Sequence, residues 1–146
     1  MIEAVGEENW SGYFEKLKAC LKPGGTAVIQ AILISDEKFH TYRKNVDFIQ
    51  RYIFPGGLLP SEKELAAQVE KQGLHLVGSE LFGKDYEMTL MRWRKSFFQS
   101  WPEISKLGYD ERFKRLWHYY LAYCEAGFAQ GTINVGLFQI KKPINT

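Results

Sequence analysis

Leu21-Lys22-Pro23-Gly24-Gly25-Thr26-Ala27-Val28-Ile29-Gln30-Ala31-Ile32-Leu33-Ile34 decides how this chain folds. A helix-stopping Pro-Gly-Gly leads straight into a near-continuous apolar run, broken by one amide, Gln30. Apolar side chains at both odd and even positions describe a strand buried on both faces. That is the pattern of a parallel sheet covered by helices. Just upstream, Trp10, Tyr13, Phe14, Leu17 and Leu21 recur at spacings of three and four, which predicts a helix over about Asn9 to Leu21. Lys16, Lys18 and Lys22 fall toward its end, where cations suit the helix dipole. Helix, break and buried strand make one αβ unit.

Beyond it, Ser35 to Lys44 reads as a polar stretch. Phe48 to Phe54 then meets the turn Pro55-Gly56-Gly57. Ser61 and Glu64 have the spacing of a capping box and open a helix that runs to Gly73. Leu74 to Phe82 reads as a strand. Tyr86, Leu90, Trp93, Phe97 and Phe98 mark a helix ending near Trp101-Pro102. Phe113, Leu116, Trp117, Tyr120, Leu121, Cys124 and Phe128 mark another, the strongest helical period in the chain. Thr132 to Ile140 is a closing antiparallel strand alternating at Ile133, Val135 and Leu137. The order α, β, α, β, α, α, β is α/β with a three-stranded sheet, and it reads as the second half of a larger doubly wound domain. The edge of its first strand invites pairing with another chain.

Composition narrows the function. The chain has 146 residues, 45% hydrophobic and 25% charged, which excludes a disordered segment and suits one domain. No apolar run reaches the roughly 18 residues of a membrane span. Met1 to Glu8 has neither a basic nor an apolar region, so no secretory leader is expected. A net charge of +2 is too balanced to point to nucleic acid. Cys20 and Cys124 form no disulfide framework, and His40, His75 and His118 lack ligand spacing, so no metal site is expected. These features suit the cytoplasm. Twelve of the 22 aromatic residues lie between Tyr86 and Phe128, which suits a thick core or an apolar ligand.

Several segments, in order, resemble one family. They are Met1-Ile2-Glu3-Ala4-Val5-Gly6, Leu21 to Gly25, Tyr52-Ile53-Phe54-Pro55-Gly56-Gly57-Leu58-Leu59-Pro60-Ser61, Asp85-Tyr86-x-x-Thr89-Leu90-x-x-Trp93 and Glu111-Arg112-Phe113. Together they are similar to the C-terminal half of cyclopropane-fatty-acyl-phospholipid synthases. These belong with the mycolic acid cyclopropane synthases among S-adenosylmethionine-dependent methyltransferases. The resemblance implies that residues 1–146 are the C-terminal portion of a class I, Rossmann-like methyltransferase domain whose cofactor-binding half lies upstream. No Gly-x-Gly follows a strand here, so the S-adenosylmethionine site is expected largely outside this chain.

The resemblance also implies the chemistry. An alkene attacks the cofactor's methyl group, and a bound bicarbonate takes a proton as the ring closes. Carried over by motif, Glu3, Gln30 and Tyr86 are the candidate catalytic residues, and Ile32 offers its backbone to bicarbonate. Gln30 stands where many members have His. An amide donates a hydrogen bond but cannot titrate, so a cyclopropane and a methyl-branched product both stay open. The family's cradle cysteine lies upstream, and neither Cys20 nor Cys124 matches it. The implied substrate is an unsaturated phospholipid acyl chain, reached by peripheral contact with the inner face of the membrane. The aromatic helices are then core, an acyl tunnel, or both. Arg92, Arg94, Lys95, Arg112, Lys114 and Arg115 are a solvated side or contacts for anionic headgroups. The apolar loop Ile53 to Leu59 is a candidate substrate-facing lid. The alternative is a non-catalytic, truncated relative that self-associates, as a homodimer through its open sheet edge, or binds a partner.

Overall fold

In the computed structural model, which describes residues 1–144, the last strand lies in the middle of the sheet. β1 (Thr26–Ile34), β2 (His75–Leu81) and β3 (Ile133–Lys141) pair in the order β1-β3-β2, and β3 is antiparallel to both neighbours. The parallel ladder expected for Thr26–Ile34 is therefore absent among the described residues. β1 and β2 run in the same direction, but β3 separates them. The cause lies in the helices before β3. α5 (Gly83–Gln99) carries the chain away from the end of β2, the short α6 (Trp101–Lys106) turns it, and α7 (Glu111–Ala129) brings it back. A chain returned to the end it left can only enter the sheet running the other way.

The sheet has two faces with different cover. Ile29, Ala31 and Leu33 of β1 and Phe138 and Ile140 of β3 point to one side. There they pack on Trp10 and Phe14 of α1 (Trp10–Cys20) and on Leu65 and Val69 of α4 (Glu62–Lys71), all buried. The Trp10 indole N–H donates to the Ile2 carbonyl at 3.1 Å and satisfies its one polar group inside that core. On the other side, Ile32, Ile133 and Val135 meet Leu90 of α5 and Leu121 and Phe128 of α7. Val28 and Leu137, further down this face, remain exposed. The alternation read for the closing strand thus divides between two cores: Val135 belongs to the second, and Phe138 and Ile140 to the first.

Local elements explain the remaining differences. The polar stretch after β1 is a helix, α2 (Asp36–Lys44), which packs only Phe39 and Tyr42 against the core. Asp36 and Glu37 in its first turn and Arg43 and Lys44 in its last suit the dipole. Ser61 does cap α4, accepting from Glu64 N at 3.2 Å, but the Glu64 carboxylate accepts from Gln68 instead of returning to Ser61. The reciprocal capping box lies on the short helix α3 (Phe48–Tyr52), between Asp47 and Gln50. α5 begins three residues before Tyr86, and the helical path continues past Trp101-Pro102 as α6, whose first turn tolerates the proline. No helix among the described residues is long and apolar enough to cross a membrane.

Candidate functional site

All four candidate residues converge on the C-terminal half of β1. Glu3 lies on a short 3₁₀ turn, Ile2–Ala4, and its Oε1 accepts from the Ile32 backbone N–H at 2.6 Å. That N–H points away from β3, to the free edge of the strand. The next one on the same edge, Ile34 N–H, donates to the Pro60 carbonyl at 3.0 Å. The upper end of the open edge is therefore already covered, and the open part lies toward Thr26. Two residues before Ile32, Gln30 Nε2 donates to the Tyr86 hydroxyl at 2.8 Å across 56 residues of chain. Because Tyr86 accepts this bond, its own proton remains free to donate elsewhere.

Tyr86 is placed by a contact that the sequence did not reveal. The Asn134 side-chain oxygen accepts from Gly83 N at 2.9 Å and from Val135 N at 2.8 Å, so β3 fixes the first turn of α5. A Cβ at Gly83 would overlap that same oxygen and touch Phe128 Cδ1 at 3.4 Å. Glycine is required there by close approach. One turn on, the Tyr86 ring leans on Phe82 and Phe128, with centroids 5.8 and 5.4 Å away. An Asn one residue before a buried Val in a strand was the only available signal.

The Pro55-Gly56-Gly57 motif acts on Glu3. Gly56 has φ +81°, a conformation that favours glycine. At Gly57 an added Cβ would lie 3.0 Å from the Glu3 carbonyl and 3.1 Å from that of Phe54. Leu58 N then donates to the Glu3 carbonyl at 2.8 Å. The loop thus holds the Glu3 main chain while its side chain holds Ile32. Tyr13, a helix-face aromatic by periodicity, lies near this carboxylate. Burial first, and the negative charge of Glu3 second, push its phenol above the usual range.

Across α7 the loop meets aromatic side chains. Phe54 contacts Tyr120, Phe48 contacts Tyr119 and Tyr123, and the Tyr123 hydroxyl donates to Asp47 Oδ2 at 3.2 Å. Burial and the Asp47 charge raise Tyr123 to about 12. Between α5, α6 and α7 lies a groove of about 400 Å³, lined by Trp93, Ser96, Phe97, Ser100, Ile104, Trp117, Tyr120 and Leu121. Its inner residues Tyr120 and Leu121 belong to the same packed cluster as Tyr86. The two readings of the aromatic helices therefore both hold. Phe97, Trp117 and Tyr120 are core on one side and groove wall on the other.

This sheet and its flanking helices are those of the Rossmann-like methyltransferase fold. The mycolic acid cyclopropane synthase CmaA1, in complex with SAH and CTAB, superposes with a TM-score of 0.86 at 23% identity, over 96% of this chain and 52% of that one. The cyclopropane synthase MmaA2 from Mycobacterium tuberculosis gives 0.85 at 23% identity, over 96% and 52%. Residues 1–139 match the family described as mycolic acid cyclopropane synthetase, and the chain belongs to that family. It is similar to the tuberculostearic acid methyltransferase UfaA1 of Mycobacterium tuberculosis (42% identical over 92% of this chain and 32% of that protein). It is also similar to the cyclopropane-fatty-acyl-phospholipid synthase of Escherichia coli K12 (40% identical over 88% and 32%). The chain spans about a third of the length of these curated relatives.

Proposed function

We propose that this chain is the C-terminal portion of an S-adenosylmethionine-dependent methyltransferase that cyclopropanates or methyl-branches unsaturated acyl chains of phospholipids. Its part is to hold a bicarbonate base and one wall of the acyl site. The observation that carries this reading is the meeting of Glu3 with Ile32 and of Gln30 with Tyr86 on one strand end, from segments far apart in sequence.

The donor set suits bicarbonate. A second bare anion beside the Glu3 carboxylate would be repelled. Bicarbonate keeps one O–H, which Glu3 accepts. The Tyr86 hydroxyl, the Gln30 amide and the Ile32 N–H can then donate to its remaining oxygens. Bound there, it supplies a base for the proton lost after methyl transfer. S-adenosylmethionine supplies the methyl group, and its binding loop is assigned to the upstream part of the longer protein. That part would also pair with the Thr26 end of the β1 edge. The groove between α5 and α7 gives an apolar wall for the acyl chain, and Phe54 and Tyr120 keep water from its inner end.

The test is Tyr86→Phe in the full-length protein, assayed by transfer of labelled methyl from S-adenosylmethionine to unsaturated phospholipid. Losing one donor aimed at the base should cost about 100-fold or more in turnover. The thermal midpoint should move little, because an exposed hydrogen bond contributes only about 1 kcal/mol. Unchanged turnover in a folded variant would remove the cradle.

A further inference from the structure

The α5–α7 pair ends in a tip that the proposed chemistry does not use. The two helices have 17 and 19 residues, so they extend roughly 25 Å from the sheet at 1.5 Å per residue. They join it through the Leu90, Leu121, Phe128 and Val135 cluster. At the far end, Phe97 meets Phe113 and Phe98 meets His118. There the turn Leu107-Gly108-Tyr109 leaves Leu107 77% and Tyr109 47% exposed, and Phe98 beside it is 40% exposed. Gly108 has φ +95°, which lets the turn reverse tightly and push both neighbours outward.

Charge surrounds this apolar tip. Between Arg92 and His118 there are seven Lys or Arg against three Asp or Glu, a local +4 in a chain of +2 overall. Lys106 and Lys114 are paired to Glu103 and Glu111, and Arg94 to Glu125. Arg92, Lys95, Arg112 and Arg115 are exposed, without an ion pair among the described residues. Exposed aliphatic and aromatic side chains inside a ring of unpaired cations match a bilayer interface with anionic headgroups.

We propose that the α6–α7 tip, Leu107-Gly108-Tyr109 with Arg112 and Arg115, docks this protein on an anionic phospholipid surface. Docked this way, the groove beside α6 opens at the bilayer, so a tail can leave the membrane without crossing water. The inference rests on the acyl-methylation reading for its purpose, but its test does not depend on turnover.

The experiment is co-sedimentation of the full-length protein with phosphatidylcholine vesicles, with and without phosphatidylglycerol, at low and high salt. Arg112→Gln/Arg115→Gln and Leu107→Ser are compared with the parent. All three side chains are exposed, so circular dichroism and thermal midpoint should match the parent. Partition should need phosphatidylglycerol, weaken with salt, and fall about fivefold per basic residue removed, roughly 25-fold for the pair. Leu107→Ser should weaken it at either salt. Binding that ignores lipid charge, or variants that bind like the parent, would overturn the proposal. So would variants that dissolve a dimer while vesicle binding stays intact, since the tip would then join two copies. Methyl transfer to detergent-dispersed phospholipid is measured beside it. Equal rates for parent and variants fit docking. A parent that binds vesicles but shows no transfer leaves the docking standing and removes the acyl-methylation reading instead.

Discussion

Substituting Gly83 by Ala tests how the tyrosine of the site is placed. The added Cβ would overlap the Asn134 side-chain oxygen, which now accepts from Gly83 N and Val135 N. The amide must rotate away, and two partly buried N–H groups lose their acceptor. At about 1 kcal/mol each, that is a loss of about 2 kcal/mol. The better helix propensity of Ala returns at most ~1 kcal/mol. Asn134→Ala removes the same two bonds without an overlap and should also cost about 2 kcal/mol. In the double variant the overlap is gone and the bonds are lost only once. The pair should therefore cost about 1–2 kcal/mol, well below the sum of the singles. For a chain of this size each kcal/mol moves the thermal midpoint by about 2–4 °C, so calorimetry of the four proteins resolves the cycle. Methyl transfer adds an independent readout, because a displaced first turn carries Tyr86 away from Gln30. Additive costs, or a neutral Gly83→Ala, would refute the argument that β3 holds this turn through Asn134.

Other perturbations probe separate parts. Burial first, then the charge of Asp47, pushes the Cys124 thiol up to about 12, whereas Cys20 is exposed. A thiol reagent at mildly alkaline pH should label one cysteine quickly, and Cys20→Ser should abolish that phase. Tyr42 and Tyr123 are both raised from 10.0 to about 12 on folding. A raised folded value adds stability that is full below pH 10 and lost as pH climbs toward 12. Denaturation midpoints should thus fall across that window, and fall less steeply in Tyr123→Phe. Gln30→His introduces a group that titrates near ~6.5 where the amide cannot, so the pH–rate profile should gain a limb near that value. Stripping dissolved carbon dioxide and bicarbonate from the assay should slow the parent, and adding bicarbonate should restore the rate.

Patterns with a short reach were legible in the chain. The 3.6-residue period of Phe113 to Phe128 marks α7 because one stripe of a helix is buried. Pro23-Gly24-Gly25 marks the end of α1 for the same local reason. α2 escaped because only Phe39 and Tyr42 of its nine residues reach the core, too few for a visible stripe. The place of the closing strand escaped because strand order depends on where α5 and α7 return the chain, which no window of sequence records. At the site, Glu3, Gln30, Ile32 and Tyr86 were found by motif. Asn134 and Tyr13 were not, since nothing local separates an amide that caps a distant helix, or a phenol beside a distant carboxylate, from ordinary neighbours.

Periodicity, turn residues and ordered motifs therefore set the α/β class, the element order and the identity of the candidate cradle, because each depends on neighbours within a few turns of chain. Tertiary structure decided that β3 divides the sheet and that Glu3 closes on Ile32 while Gln30 closes on Tyr86. It also decided that a glycine-asparagine contact sets the angle of α5. Those outcomes follow from close approach between segments tens of residues apart, and such contacts exist only once the chain has packed.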